Sequence, residues 1–376
     1  MKKIKVLHVY RTYFPDPPGG VQEAIRQIVM STKENGIESR VYALSPQPSP
    51  RVHYERECRV TRSRSWLAPA SCDLGGLDSL RCFREEVDWA DVVNLHFPWP
   101  FADVLYFLGS VKKPMVITYH SDIVKQRLLG AFYSPLMRKT LGSAKAVIAT
   151  SPNYARTSAV LQNFVRPEQL KIIPLGIADY VEKVISDETE KSILEKFMIA
   201  GKPYVLALGA LRYYKGFHTL VEAAKNINAN VVIAGSGVEE ESLKAMALEL
   251  DVENLIFAGQ VSEEEKVTLL RHCSLFALPS HLRSEAFGMV LVEALMFGKP
   301  LVSCEIGSGT SFVNVHDETG LVVPPNDPII LANSVNAILN NRDLALEMGI
   351  SARQRYEHYF SGNALGKEYT NIYRLV

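Results

Sequence analysis

No run in the 376 residues approaches the ~18 consecutive apolar positions of a membrane-spanning helix. The N-terminus, Met1-Lys2-Lys3 followed at once by the strand-like Ile4-Lys5-Val6-Leu7-His8-Val9, lacks the apolar core and small-residue cleavage site of a secretory signal. Net charge is also missing, since 41 Lys and Arg balance 41 Asp and Glu. That balance argues against a general nucleic-acid binder, which carries a basic excess. Cysteines number five, an odd count with no C-x-x-C pair, so neither a disulfide framework nor a thiolate zinc site is indicated and a reducing, cytoplasmic setting is expected. The motifs G-x-S-x-G, H-E-x-x-H, G-x-x-x-x-G-K-[ST] and G-x-G-x-x-G are absent, which removes support for hydrolase-triad, zincin, P-loop and nicotinamide readings. No D-x-D triplet occurs either, so a metal-assisted diphosphate site has no obvious ligand set.

What is present is an ordinary globular composition, 47% apolar and 22% charged, of a length that suits two domains at ~100–200 residues each. Short β-branched runs alternate with longer amphipathic stretches. The expected strands of the first half are Ile4–Tyr10, Ser39–Leu44, Val92–Leu95, Met115–Tyr119, Ala146–Ala149 and Leu170–Ile173. The pattern restarts at Tyr204–Leu208 and continues through Val231–Ala234, Leu255–Ala258, Leu275–Leu278, Leu301–Ser303 and Leu321–Val323. Apolar runs of this length between helices predict parallel sheets covered on both faces, and two series predict two doubly wound domains. The expected domains are 1–180 and 181–355, with 356–376 a terminal helix. Ser45–Ala70, with prolines 46, 48 and 50, reads as a functional or mobile loop. The neutral total also hides an asymmetry, +8 over residues 1–180 and −8 over 181–376.

In open parallel sheets ligands bind where strands feed helices, so those junctions hold the candidates. Gly19-Gly20 permits close backbone approach to an anion at a helix start. His120 ends a buried-looking strand beside Ser121-Asp122; His96 has the same placement, though aromatic packing suffices to explain it. Gly235-Ser236-Gly237 reads as a turn bordering a site, because Glu239, Glu240 and Glu241 would repel a phosphate. Arg212 and Lys215, before Gly216, could neutralise a diphosphate. Most specific is Leu278–Met289: Glu285, a helix start at Phe287-Gly288-Met289 offering free amides, then Glu293 and Gly298-Lys299-Pro300.

These residues resemble those of the retaining nucleotide-sugar transferases of glycosyltransferase family 4, over nearly the whole chain. Gly19-Gly20, Thr118-Tyr119-His120, Ala149-Thr150-Ser151-Pro152, Ile173-Pro174-Leu175-Gly176-Ile177, Tyr214-Lys215-Gly216 and Ser284–Gly320 carry the resemblance, with Glu285 and Glu293 matching the family's E-x7-E pair. It implies a GT-B fold: two Rossmann-like domains facing a cleft, acceptor on the first and sugar nucleotide on the second, with the last helix crossing back to the first. By motif, Glu293 is expected on the donor ribose, Glu285 on a hydroxyl of the transferred sugar, and Lys215 with the Phe287-Gly288-Met289 amides on the diphosphate. His120 is expected beside the anomeric centre and Gly19-Gly20 over the diphosphate. No metal or cofactor is implied. The family's usual G-R-L places its arginine where this chain has Ala210, and Arg212 is the candidate replacement.

Val6–Asp16, Asn94–Pro100 and Gly309–Asn314 look like bacterial O-antigen mannosyl- and rhamnosyltransferases, which use GDP-sugars. The expected reaction is α-mannosyl transfer from GDP-mannose onto a lipid-linked or growing lipopolysaccharide glycan, with GDP-rhamnose or a UDP-sugar as the alternative donor. An epimerase, a phosphorylase or a non-catalytic sugar-nucleotide binder are the other classes, the last favoured only by Ala210. Two basic and apolar stretches suit an anionic membrane surface: Arg62, Arg64 and Trp66, and Lys125, Arg127, Arg138 and Lys139. The expected location is therefore the cytoplasm, with a peripheral position on the inner membrane if those stretches bind it.

Overall fold

The computed structural model describes residues 3–16, 19–68, 72–123 and 127–376, and divides them into two compact units. One comprises Met1–Ala178 with Ser361–Val376, the other Asp179–Phe360. The divisions fall at 178/179 and 360/361 rather than 180/181 and 355/356. Side chains explain the shift: Asp179 pairs with Arg353, Tyr180 bonds Glu293, and Phe360 packs on Phe287 and Phe312 at 6.0 and 5.8 Å between ring centres.

The first unit holds strands β1 (Ile4–Val9), β2 (Ile37–Ser45), β3 (Val52–Tyr54), β4 (Arg59–Leu67), β5 (Leu74–Gly75), β6 (Val92–Phe97), β7 (Met115–Tyr119), β8 (Ala146–Ala149) and β9 (Leu170–Ile172). Their order is β3-β4-β2-β1-β6-β7-β8-β9, with β5 on β4. All pairings are parallel except those of β3 and β5. The buried runs of Val, Ile and Ala in β6 to β8 are what a sheet covered on both faces requires. Residues 361–376 return to this unit as the helix Gly362–Leu375, capped by Ser361. Leu365, Tyr369 and Tyr373 join Val6, Val92 and Val116 in one buried cluster.

Ser45–Ala70 is not the irregular loop expected from its prolines. It supplies β3 and β4, which extend the sheet edge beyond β2. Val60, Thr61, Arg62 and Ser63 of β4 are all buried, with strands on both sides; Arg62 is 4% exposed, pairs with Asp16 at 3.5 Å and donates to the Pro50 carbonyl. Arg62 is therefore a structural cation and not a membrane-surface charge.

The second unit is a six-stranded parallel sheet, β10 (Tyr204–Leu208), β11 (Asn230–Ala234), β12 (Leu255–Gly259), β13 (Leu275–Leu278), β14 (Leu301–Cys304) and β15 (Gly320–Val323), ordered β12-β11-β10-β13-β14-β15. Chain direction across the sheet reverses between β10 and β13, as it does between β1 and β6 in the first unit. Those reversals are where a doubly wound sheet opens a crevice at its carboxyl edge.

Candidate active site

In the second unit, the loops after β10 and β13 flank the reversal. The first carries Lys215, the second Glu285, and the two side chains form a direct ion pair. Both residues are 8% exposed. Burial opposes the Lys215 charge, but the facing Glu285 carboxylate, with Tyr214 and Glu293, outweighs it and raises the lysine pKa. Lys215 is therefore a fixed cation at neutral pH. Ser280 Oγ donates to the same Glu285 oxygen at 3.4 Å.

The helix Met289–Met296 starts immediately after. Its preceding residue, Gly288, has φ +85°, and a Cβ there would sit 3.0 Å from Leu291 Cδ1. Only glycine takes that turn without strain. It leaves the amides of Met289 and Val290 without intrahelical acceptors, a few residues after Glu285 in sequence and at the positive end of the helix dipole. Phe287, expected to offer its amide, has its side chain buried against Phe360.

Glu293 lies about one turn along that helix. Its Oε1 accepts from Tyr180 Oη at 2.7 Å and from Lys266 Nζ at 3.0 Å. Burial opposes the charge on Lys266, and the Glu293 and Glu263 carboxylates raise its pKa. Neither Tyr180 nor Lys266 stood out in the sequence, because each belongs to a segment with no motif of its own; their partnership is visible only in three dimensions.

The glycines of the Gly235-Ser236-Gly237 turn serve packing, as the turn reading expected. A Cβ on Gly235 would lie 2.1 Å from the Gly209 carbonyl oxygen, and one on Gly237 2.3 Å from that of Leu211. This close approach lets Leu211 N donate to Ser236 O at 2.9 Å and pins the loop that bears Arg212. Leu211 is buried, whereas Ala210 and Arg212 are both exposed. The two positions thus share a face, as a replacement of one by the other requires. The Arg212 carbonyl accepts from Lys215 N at 3.0 Å, while the Arg212 side chain has no hydrogen-bond or ion-pair partner among the described residues.

In the first unit, Gly19 is extended and Gly20 opens the helix Gly20–Lys33; both are exposed, and a Cβ on Gly20 would meet nothing within 4 Å. His120 follows β7 and is 6% exposed. It is not alone. His8 of β1, His96 of β6 and His120 form a stacked row, ring centres 5.3 and 5.2 Å apart. His8 Nδ1 lies 3.0 Å from His96 Nε2, and His96 Nδ1 lies 2.9 Å from His120 Nε2. Burial holds all three imidazoles neutral, with the His8 and His120 pKa values lowered to about 3 and that of His96 well below the ordinary value. Beneath the row, Asn94 donates to Tyr373 Oη at 2.7 Å and Thr118 to Asn94 Oδ1 at 3.1 Å.

Of the surface candidates, Arg64 and Trp66 are exposed, with the guanidinium 4.7 Å from the ring centre. Arg138 and Lys139 are exposed on the helix Arg127–Ser143, which begins at Arg127, and stack on Phe164 and Phe107. Lys125 lies outside the described residues. Among those residues no helix is long and apolar enough to cross a membrane, and no group of three or more His, Cys, Asp or Glu is arranged to hold a metal ion.

Residues 18–179 match the family described as Glycosyltransferase Family 4, and residues 178–355 that described as Glycosyl transferases group 1. A D-rhamnosyltransferase of Pseudomonas aeruginosa is 42% identical over 359 residues, covering 95% of this chain and 92% of the relative. An O-antigen chain mannosyltransferase of Escherichia coli is 36% identical over 371 residues, 98% of each. Among solved structures, an Anabaena protein in complex with UDP-glucose superposes with a TM-score of 0.80 at 18% identity, covering 99% of this chain and 100% of that one. The two Rossmann-like sheets, the Lys215–Glu285 pair at the second reversal and these matches across both units assign the chain to glycosyltransferase family 4, with the GT-B fold.

Proposed function

We propose that the chain transfers an α-mannosyl group from GDP-mannose, with retention at the anomeric carbon, to a lipid-linked or growing O-antigen glycan. The observation that carries this reading is the buried Lys215–Glu285 pair, with the Gly288 helix start three residues after Glu285 and Glu293 about one turn into that helix. Lys215, the first helical amides and exposed Arg212 offer positive charge to a diphosphate. Glu285 and Glu293 offer acceptors to the hydroxyls of the sugar and the ribose. In the transfer, the bond from the anomeric carbon to the diphosphate oxygen breaks and the acceptor hydroxyl bonds on the same face. Its proton passes to the leaving phosphate, with His120 beside the reacting sugar and Gly19-Gly20 along the diphosphate. The reading requires neither a nucleophilic side chain nor a metal.

The E. coli relative supports mannose as the transferred sugar, and the P. aeruginosa relative supports a second reading with D-rhamnose. A screen of GDP-mannose, GDP-rhamnose and UDP-sugars with a defined lipid-linked acceptor tests both, with NMR of the product reading the anomeric configuration. Turnover with UDP-sugars alone refutes the guanine assignment, an inverted product refutes retention, and loss of turnover on chelation refutes metal independence.

We further propose peripheral binding of the first unit to anionic lipid. This unit carries 26 Lys and Arg against 16 Asp and Glu, and Arg64, Trp66, Leu67, Arg138 and Lys139 are exposed on it. Binding should require anionic vesicles and weaken with salt; equal sedimentation with neutral vesicles overturns it.

A further inference from the structure

The row of three histidines is a closed hydrogen-bonding problem. Each neutral imidazole carries one N–H, and each of the two nitrogen–nitrogen contacts takes one hydrogen. If His96 donates from Nδ1 to His120 Nε2, its own Nε2 must accept, so His8 donates from Nδ1. If His96 donates from Nε2 instead, His120 must donate from Nε2 and His8 holds its proton on Nε2. The row therefore has two states only: hydrogens on all three Nδ1 atoms, or on all three Nε2 atoms.

One atom selects between them. His8 Nε2 is buried and has no hydrogen-bond partner. With hydrogens on Nε2, an N–H donor would be stranded in the core; with hydrogens on Nδ1, only an imine lone pair is left unmatched. A buried N–H without an acceptor is the rarer and costlier defect. A tetrahedral metal is not a substitute reading, because two imidazole nitrogens ~2.0 Å from such an ion sit ~3.3 Å apart, against the 2.9 and 3.0 Å seen here.

We propose that His96 and His8 are positioning residues that fix His120 as the Nδ1–H tautomer. His120 then presents a hydrogen-bond donor, and not a base, at the carboxyl end of β7. Its Nδ1 is the one nitrogen of that ring outside the row, and it has no partner among the described residues. Burial of all three rings supports the neutral row on which this count depends. The part played by this donor rests on the proposed transferase reading. There it would hold an oxygen of the reacting sugar or diphosphate, while proton removal from the acceptor falls to the leaving phosphate.

The tautomer itself is measurable without substrate. Histidine-selective 15N labelling and long-range 1H–15N correlation at pH 7.5 distinguish protonated from imine nitrogens at each ring. The expected result for the wild-type chain is Nδ1–H at His8, His96 and His120; Nε2–H at His120, or an even mixture, overturns the proposal. This measurement needs no variant, so it stands whether or not substitutions fold. Two substitutions then test causation. In His96→Asn the side-chain amide can donate where Nδ1–H did, so His120 keeps Nδ1–H and kcat falls less than about threefold. In His96→Asp only an acceptor faces His120, so its proton moves to Nε2 and kcat falls tenfold or more. Donor KM should change by less than kcat in both variants. Equal kcat in the two variants, with opposite tautomers at His120, refutes the functional consequence. If the wild-type tautomer is as expected but no sugar is transferred from any nucleotide donor, the transferase reading fails and the tautomer assignment survives.

Discussion

Acidification should weaken the first unit, and the size of the effect follows from four buried groups. His8, His96 and His120 are held neutral in the folded chain, with pKa values far below their ordinary value. Once unfolded, each titrates near 6.5. The unfolded chain then binds more protons wherever the pH lies below 6.5 and above the folded values, so stability falls as the pH drops through that window. Between pH 7.5 and 5.5 each histidine costs about 1.4 kcal/mol, about 4 kcal/mol for the three. The amount depends on the unfolded pKa, since the folded values lie well below 5.5. Asp103 acts in the opposite sense. Burial raises its carboxyl to about 7 in the folded chain, against hydrogen bonds from Tyr133 and Thr140. Protonating it over the same interval returns about 2 kcal/mol. The histidines win, and the net loss is about 2 kcal/mol.

The assay is built into the sequence. Trp66, Trp89 and Trp99 all belong to the first unit, and Trp99 is 1% exposed with its indole N–H on the Asp73 carbonyl. Tryptophan emission during urea unfolding therefore reports this unit alone. Asp103→Asn removes the compensating term and should double the acid loss to about 4 kcal/mol. Unchanged stability between the two pH values in that variant, or a wild-type chain more stable at pH 5.5, refutes the neutral buried row.

Lys215→Met leaves Glu285 nearly buried without its cation, and should cost about 3 kcal/mol, the lower end for a broken buried pair. Adding Glu285→Gln should recover part of that loss, as read by far-UV circular dichroism on the second unit's transition; strictly additive losses would deny the coupling. Wild-type Lys215 has a raised folded pKa, so the stability it contributes is present at neutral pH and is lost only above the ordinary lysine range. Tyr180→Phe removes one of two donors to Glu293 and, on the proposed function, should weaken binding of the proposed GDP-mannose donor about threefold to tenfold by calorimetry, whereas unaltered affinity would separate Glu293 from the donor. Gly288→Ala forces a side chain into the left-handed region and should lower stability by about 1–2 kcal/mol, with thermal melting as the check.

Much of the fold was legible because both sheets are parallel and covered, which writes strands as short β-branched runs. Met115–Tyr119, Ala146–Ala149, Tyr204–Leu208 and Leu275–Leu278 have the same bounds in sequence and structure. Strands at and near the edge escaped because they obey another rule. β4 lies one strand in from that edge; its residues 60–63 are all buried while Arg64, Trp66 and Leu67 are exposed, so Arg59–Leu67 shows no simple alternation and reads as polar, and nearby prolines suggest a loop. Lys215, Glu285 and Gly288 were legible because their spacing around two turns is local. The histidine row was half legible. Val6-x-His8, Val92-x-Asn94-x-His96 and Val116-x-Thr118-x-His120 repeat one facing pattern, but only strand register brings the three side by side, through His8 opposite Asn94 and His96 opposite Thr118. Tyr180 and Lys266 left no trace at all, since contacts between distant segments have no sequence period.

Residues 361–376 complete a core that residues 4–178 began, with the whole second unit intervening. On a ribosome the second unit therefore finishes before the first can close. Until Tyr369 and Tyr373 emerge, Thr118 and Asn94 keep each other but lack their tyrosine partners beneath the histidines. A chain stalled or clipped before residue 361 would keep the Lys215–Glu285 pair, yet lack the floor under His120. The last sixteen residues to be made are thus the ones that close the first core, so order of synthesis, as well as final shape, decides when that core is complete.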